Sequence, residues 1–354
     1  MKEHILTISR VADKTPSKSI PDGAITGNGD MTVTFRRKKK TQYKRFFKEN
    51  KMNLQKKLDM AIKACEVSEE NLQDGYVING RKTSTYMTNA EWEDLILGMN
   101  ERVRDEYGQG SGGELKETRY PPKMACYGSS SRMLYNLSAH KKEFHYEKKL
   151  STTVGGVANI DGFMEQRDRY IFVEAKCREP YHTSYSDSTP CVVSNAYKEL
   201  YEYINESMAG AIFCNMQPHP QKRGYMNVTY MCDGDTVEYF DLKQMICHLL
   251  GIGTELLQKR LDGRRIDFMY LIYDPTELPL DADTMSEVLE IYEKLRMECV
   301  CVDVNSLFLN ILTYLRDVRS VGDMSDDEIE RYMFDLTFTV CDQQFFSQLI
   351  EEQM

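Results

Sequence analysis

Two runs of mixed apolar and polar residues lie near the middle of the chain, Val157 to Glu165 and Tyr170 to Lys176, the second opening on the hydrophobic stretch Tyr170-Ile171-Phe172-Val173, and the turn Gln166-Arg167-Asp168 falls between them. Strand-length apolar runs around so short a connection predict two antiparallel strands joined by a tight turn. The same pattern predicts strands over Phe144 to Leu150, Ala211 to Cys214, Tyr225 to Met231, Arg264 to Tyr273 (stopped by Asp274-Pro275) and Cys299 to Val304. Helical spacing intervenes. Thr88 and Glu91 form a capping box for a helix that ends before Gly108, with Trp92, Leu95, Ile96, Met99 and Val103 on one face. The serines 129 to 131 cap a helix carrying Met133, Leu134 and Leu137. Further helices are predicted over Val192 to Met208, from Asp241 to Leu250, from a Thr284/Glu287 cap to Leu295, from Asn305 to Arg316, and after a Ser325/Glu328 cap. Strands alternating with helices predict an α/β protein.

The central strands carry chemistry. Side chains alternate across a strand, so Glu174 and Lys176 project from one face while Ile171, Val173 and Ala175 take the other. Pairing across the turn brings Asp161 near Glu174. Two carboxylates and a backbone carbonyl form an oxygen-rich nest for a hard cation such as Mg²⁺, with Lys176 beside it.

Asp161 followed by Glu174-Ala175-Lys176 on a hairpin resembles the PD-(D/E)xK phosphodiesterase superfamily, the fold of restriction endonucleases and many repair nucleases. The resemblance covers about half the chain, and Ile160 stands where the motif has proline. It implies a restriction-endonuclease-like mixed β-sheet core flanked by helices, with an extra N-terminal helical region and C-terminal helices. It implies catalysis by Asp161, Glu174 and Lys176, with Mg²⁺, or Mn²⁺ in its place, held by Asp161, Glu174 and the Ala175 carbonyl. The superfamily often adds an upstream glutamate; Glu147, on the predicted Phe144 strand, ranks above Glu114, which follows the glycine-rich stretch 108 to 113 and precedes Pro121-Pro122. Ser130 is counted with the accessory residues. Gln244 and His248 stand four apart on one helix face, similar to the Gln-x-x-x-Tyr pair of the RecB-like branch, although a hydrogen-bonded structural histidine is the plainer reading.

Charge is segregated. Arg36 to Lys57 holds eleven lysines and arginines against one acid, Glu49, in a chain of net charge −10, which leaves the remainder at −20. Arg36, Arg37, Lys38, Lys39, Lys40, Lys44 and Arg45 are therefore the candidate phosphate contacts, the alternative being a solvated basic face. Thr41 to Cys65 has the spacing of one or two basic amphipathic helices. The domain reading is an irregular leader over 1–30, a basic helical region over 31–110, the nuclease core over 111–320 and an acidic helical tail over 321–354.

Ten cysteines without a CxxC pair read as reduced thiols of a cytoplasmic protein, and Cys299 and Cys301 would point the same way from a strand. Six histidines, none at ligand spacing from a cysteine pair, argue against zinc. No apolar run approaches the ~18 residues of a membrane span. The expectation is a Mg²⁺-dependent DNA endonuclease of restriction or phage-defence type, with two alternatives: a repair or recombination nuclease acting on DNA ends or branches, or a non-catalytic nucleic-acid-binding protein of the same fold. RNA is open as a substrate. A homodimer, or a partner protein supplying modification or motor activity, is compatible with each.

Overall fold

A computed structural model describes residues 53–110, 113–181, 190–208 and 210–352. The leader and all seven candidate phosphate-binding residues, Arg36 to Arg45, lie outside the described residues.

The protein is a mixed α/β structure. Its main sheet has five strands in the order β11-β10-β5-β4-β3. The strands are β3 (Phe144–Ser151), β4 (Val157–Glu165), β5 (Arg169–Lys176), β10 (Arg265–Ile272) and β11 (Leu336–Cys341). β3, β4 and β5 form an antiparallel meander; β10 runs parallel to β5, and β11 parallel to β10. A second sheet comprises β6 (Cys191–Ser194), β7 (Ile212–Pro218), β8 (Tyr225–Cys232) and the short β9 (Asp235–Thr236), with β8 between β6 and β7. β1 (Tyr76–Ile78) and β2 (Arg81–Thr83) make a separate hairpin.

The main sheet is buried on both faces. One face, with Tyr170, Phe172, Phe268 and Tyr270, packs under helices α5 (Lys198–Ser207), α6 (Leu242–Leu257) and α8 (Val304–Thr313) and the inner side of the second sheet. The other face, with Ile171, Val173, Ala175 and Leu271, packs against α1 (Leu54–Glu66), α4 (Ser130–Ser138) and α10 (Gln343–Glu352). β5, covered on both faces, therefore reads as a nearly continuous apolar run. Glu174 and Lys176 share the α6 face. Gly251 brings that helix close: a Cβ there would lie 2.9 Å from the Leu150 Cβ and 3.0 Å from the Ala158 Cβ, so a larger residue would push α6 off β3 and β4.

Several local expectations give way to tertiary structure. The run Trp92 to Val103 is two helices, α2 (Asn89–Gly98) and α3 (Glu101–Gln109), because Asn100 caps the second by accepting the Val103 N–H. The start of the Val192 helix is strand β6, paired with β8, and α5 begins only at Lys198. Asp281, not Thr284, caps α7 (Ala282–Cys301); Thr284 gives that aspartate both its N–H and its hydroxyl. The strand expected over Cys299 to Val304 is instead the end of α7 and the start of α8, so Cys299 is buried and Cys301 exposed. After α9 (Asp326–Asp335), whose Ser325/Glu328 box forms as expected, the acidic tail supplies strand β11 to the main sheet. Among the described residues no single helix is long and apolar enough to cross a membrane.

Candidate active site

Asp161 and Glu147 face each other where the β3–β4 ladder breaks. Tyr146 pairs with Gly162 and Lys148 with Ile160, but the acids between them are unpaired. The alternation of both strands inverts at this point. Phe144 and Tyr146 face the α4 side, whereas Leu150 faces α6; Ala158 and Ile160 face α6, whereas a Cβ on Gly162 would meet Phe144 and Leu134 on the α4 side. Glu147 bends the chain, with φ at +52°, a left-handed conformation that costs a non-glycine residue about 1–3 kcal/mol. Constant alternation, which would keep Tyr146 and Lys148 on one face, fails at Lys148; its ammonium lies 4.7 Å from the centre of the Phe163 ring. Gly110, at the end of α3, leaves room for the Glu147 carboxylate, whose Oε2 would sit 2.6 Å from a Cβ there.

The β4–β5 ladder ends at Gly162 opposite Val173. Beyond it, Asp161 Oδ2 accepts the Ala175 N–H at 2.9 Å, so the carboxylate takes a backbone donor that a strand would otherwise bind. On the α6 face of β5, Glu174 Oε1 lies 2.7 Å from Lys176 Nζ, and Glu174 Oε2 lies 2.8 Å from His248 Nε2. Lys176 also donates to Gln244 Oε1 at 2.6 Å. Gln244 and His248, on one face of α6, thus hold the two ends of the Glu174–Lys176 pair. The α6 cap keeps them in phase, since Asp241 Oδ1 accepts the Gln244 N–H.

The carboxylates of the β3–β4 break and the α6 pair border a cleft of about 440 Å³ between α6, that break and the second sheet. Glu114, Glu147, Asp161, Asp241, Lys243, Gln244 and His248 reach its lining, and Ser194 and Tyr225 come from the second sheet. Both upstream glutamates are therefore present. Glu114 is not on a helix; it follows α3 in a loop, where Ser131 donates to its Oε2 at 3.0 Å and Lys123 stands 3.7 Å from Oε1. Ser131 takes the contact with Glu114, and Ser130 is the first residue of α4. Glu174 and Lys176 lie behind the lining, 1% and 8% exposed. The sequence reading missed Asp241, Lys243 and Tyr225; only their positions beside Gln244 and at the start of a strand could have suggested them.

The acids repel one another. Burial first, then the charge of Glu174, pushes the Asp161 carboxyl well above its ordinary range, against Lys176 and the Ala175 N–H. Burial, then Glu114 and Glu174, pushes Glu147 up to about 7. Burial would raise Glu174 as well, but Lys176 and His248 outweigh it and hold its carboxyl below the ordinary value. Lys176, disfavoured by burial, is held charged by Glu174.

Glu147 and Asp161 are thus oxygen donors short of positive charge, which suits a hard divalent cation. Glu174 is engaged by Lys176 and His248, and the contact made by Ala175 to Asp161 uses its N–H. Among the described residues, three acidic, cysteine or histidine donors come within 4.8 Å of one another only at Cys232, Asp233 and Cys301. The cleft carboxylates do not close to that spacing. No family model, curated protein or solved structure matches the chain.

Proposed function

We propose that this chain is a metal-dependent deoxyribonuclease of restriction-endonuclease-like fold, acting in restriction or phage defence. The observation that carries the reading is the placement of Asp161 against Glu174-Ala175-Lys176 on neighbouring strands, with the aspartate bonded to Ala175 and the glutamate ion-paired with the lysine. A mixed sheet flanked by helices supports it.

Asp161 and Glu147 would hold Mg²⁺ or Mn²⁺, which when bound polarises a phosphate and acidifies a water, while Glu174, engaged by Lys176 and His248, stands behind them. The protein's own groups do the rest. Lys176, fixed by Glu174 and Gln244 just behind the lining, would stabilise with its compact ammonium the negative charge that grows on the phosphate oxygens. Exposed Lys243 lines the cleft and can pair with a phosphate. His248 holds Glu174 in one orientation. Glu147, with its carboxyl near 7, can take up a proton close to neutral pH.

The test incubates the protein with plasmid, linear, branched and single-stranded DNA and with RNA, in Mg²⁺ or EDTA, beside Asp161→Asn. Cleavage of DNA that needs Mg²⁺ and is lost in a folded Asp161→Asn supports the proposal. Preference for ends or branches turns it toward repair. DNA binding with no cleavage by the parent leaves a binding protein of the same fold.

A further inference from the structure

Away from the acidic cleft, two cysteines from distant parts of the chain meet. Cys232 is the last residue of β8 and Cys301 the last of α7; they are 69 positions apart in sequence, and their Sγ atoms lie 2.7 Å apart. That is closer than van der Waals contact between sulfurs, and not far from the S–S bond length of about 2.05 Å. The two segments are held together independently of the thiols. Glu298, one turn before Cys301, accepts the N–H groups of Glu238, Tyr239 and Phe240 at 2.9, 2.7 and 2.7 Å, which pins α7 to the chain just after β9.

We propose that Cys232 and Cys301 are a redox-active dithiol that closes to a disulfide when a hydroperoxide oxidises it. Cys301 is exposed and reacts first, while Cys232 is buried beneath it. The Cys301 thiolate attacks one peroxide oxygen, the O–O bond breaks, and the other oxygen leaves as water after taking a proton; Cys301 becomes a sulfenic acid. The Cys232 sulfur then attacks the sulfenic sulfur, the S–O bond breaks, and a second water leaves. Two thiols are oxidised to one disulfide, and one hydrogen peroxide is reduced to two waters.

Burial and the neighbouring Cys301, Asp233 and Asp235 push the Cys232 thiol up, which fits it to the second step rather than the first. Asp233 Oδ2, 3.8 Å from the Cys301 Sγ, completes a three-donor group. A zinc ion would need its two sulfurs each about 2.3 Å away, and a tetrahedral site would force them well apart. The spacing favours the disulfide. Once closed, it ties the sheet that contributes Tyr225 and Ser194 to the cleft wall onto α7.

The experiment treats the reduced full chain with increasing hydrogen peroxide, blocks free thiols by alkylation, and maps the peptides by mass. The expected result is one cross-linked Cys232–Cys301 peptide, two hydrogens lighter than the reduced pair. It should form before any other cross-link and revert with dithiothreitol. The oxidised protein should melt several degrees higher, because the bond closes a long loop in the unfolded chain. Cys301→Ser, a change at an exposed position, should abolish both effects. Two results would overturn the proposal: Cys301 oxidised to sulfinic acid with Cys232 left free, or stoichiometric zinc in the purified protein that Cys301→Ser loses. The outcome is independent of whether the chain cleaves DNA.

Discussion

His248 Nε2 lies 2.8 Å from Glu174 Oε2, with both side chains buried. The histidine is therefore a structural partner, and its partner is the carboxylate of the candidate motif. Replacing it by leucine keeps the volume but leaves a buried carboxylate oxygen without its donor. His248→Leu should lower stability by about 2 kcal/mol, the cost of losing a hydrogen bond to a charged group. The midpoint of urea unfolding measures this. An unshifted midpoint would mean that the bond carries no stability.

The raised Glu147 carboxyl makes stability depend on pH. With a folded pKa of about 7 against an ordinary 4.5, the native state holds this proton more tightly than the unfolded chain. This contribution is fully present below 4.5, falls as pH rises from 4.5 to 7, and is lost above that. Glu147→Gln removes the charge. It should melt like the parent in acid and become more stable than the parent by roughly 1–2 kcal/mol above pH 7, after discounting for partial solvent access. Mg²⁺ should narrow that gap by stabilising the parent. A melting difference that does not change with pH would show that Glu147 is ionised at no cost.

What the sequence made legible was local. The turn at Gln166 to Asp168, strands β4, β5 and β10, and the two capping boxes each depend on neighbours a few residues away, and they stand where patterning puts them. Asp161, Glu174 and Lys176 could be placed near one another because they sit on those strands. The misses are tertiary. β11 is a short run after a capped helix, and pairing with β10 makes it a strand. Cys299 to Cys301 belong to α7 because Val288, Tyr292, Leu295 and Cys299 continue one buried helical stripe. The inversion at Glu147 and Asp161 is invisible to any reading that assumes strict alternation. Glu114 could be named as an acid near the site, but its loop position could not.

The basic stretch Arg36 to Lys40 carries a prediction from charge alone. Changing all five residues to glutamine should weaken DNA binding for every sequence and flatten the slope of affinity against salt, because fewer counterions are released. Fluorescence anisotropy across a salt series reads both. An unchanged slope would show that the segment does not meet phosphate.

Lys176 tests the catalytic reading most directly. Its ammonium is ion-paired with Glu174 and donates to Gln244, and its proposed work is to stabilise charge that grows only in the transition state. The measurement is single-turnover cleavage of DNA in Mg²⁺ by Lys176→Gln, beside DNA binding in Ca²⁺ on the same preparation and a melting curve to establish folding. Binding within a few fold of the parent, with cleavage slower by on the order of a hundredfold or more, is the predicted result. Lys176→Arg should not restore the rate, since a planar guanidinium cannot occupy the ammonium's place between Glu174 and Gln244. Cleavage by folded Lys176→Gln at the parent rate would contradict the account.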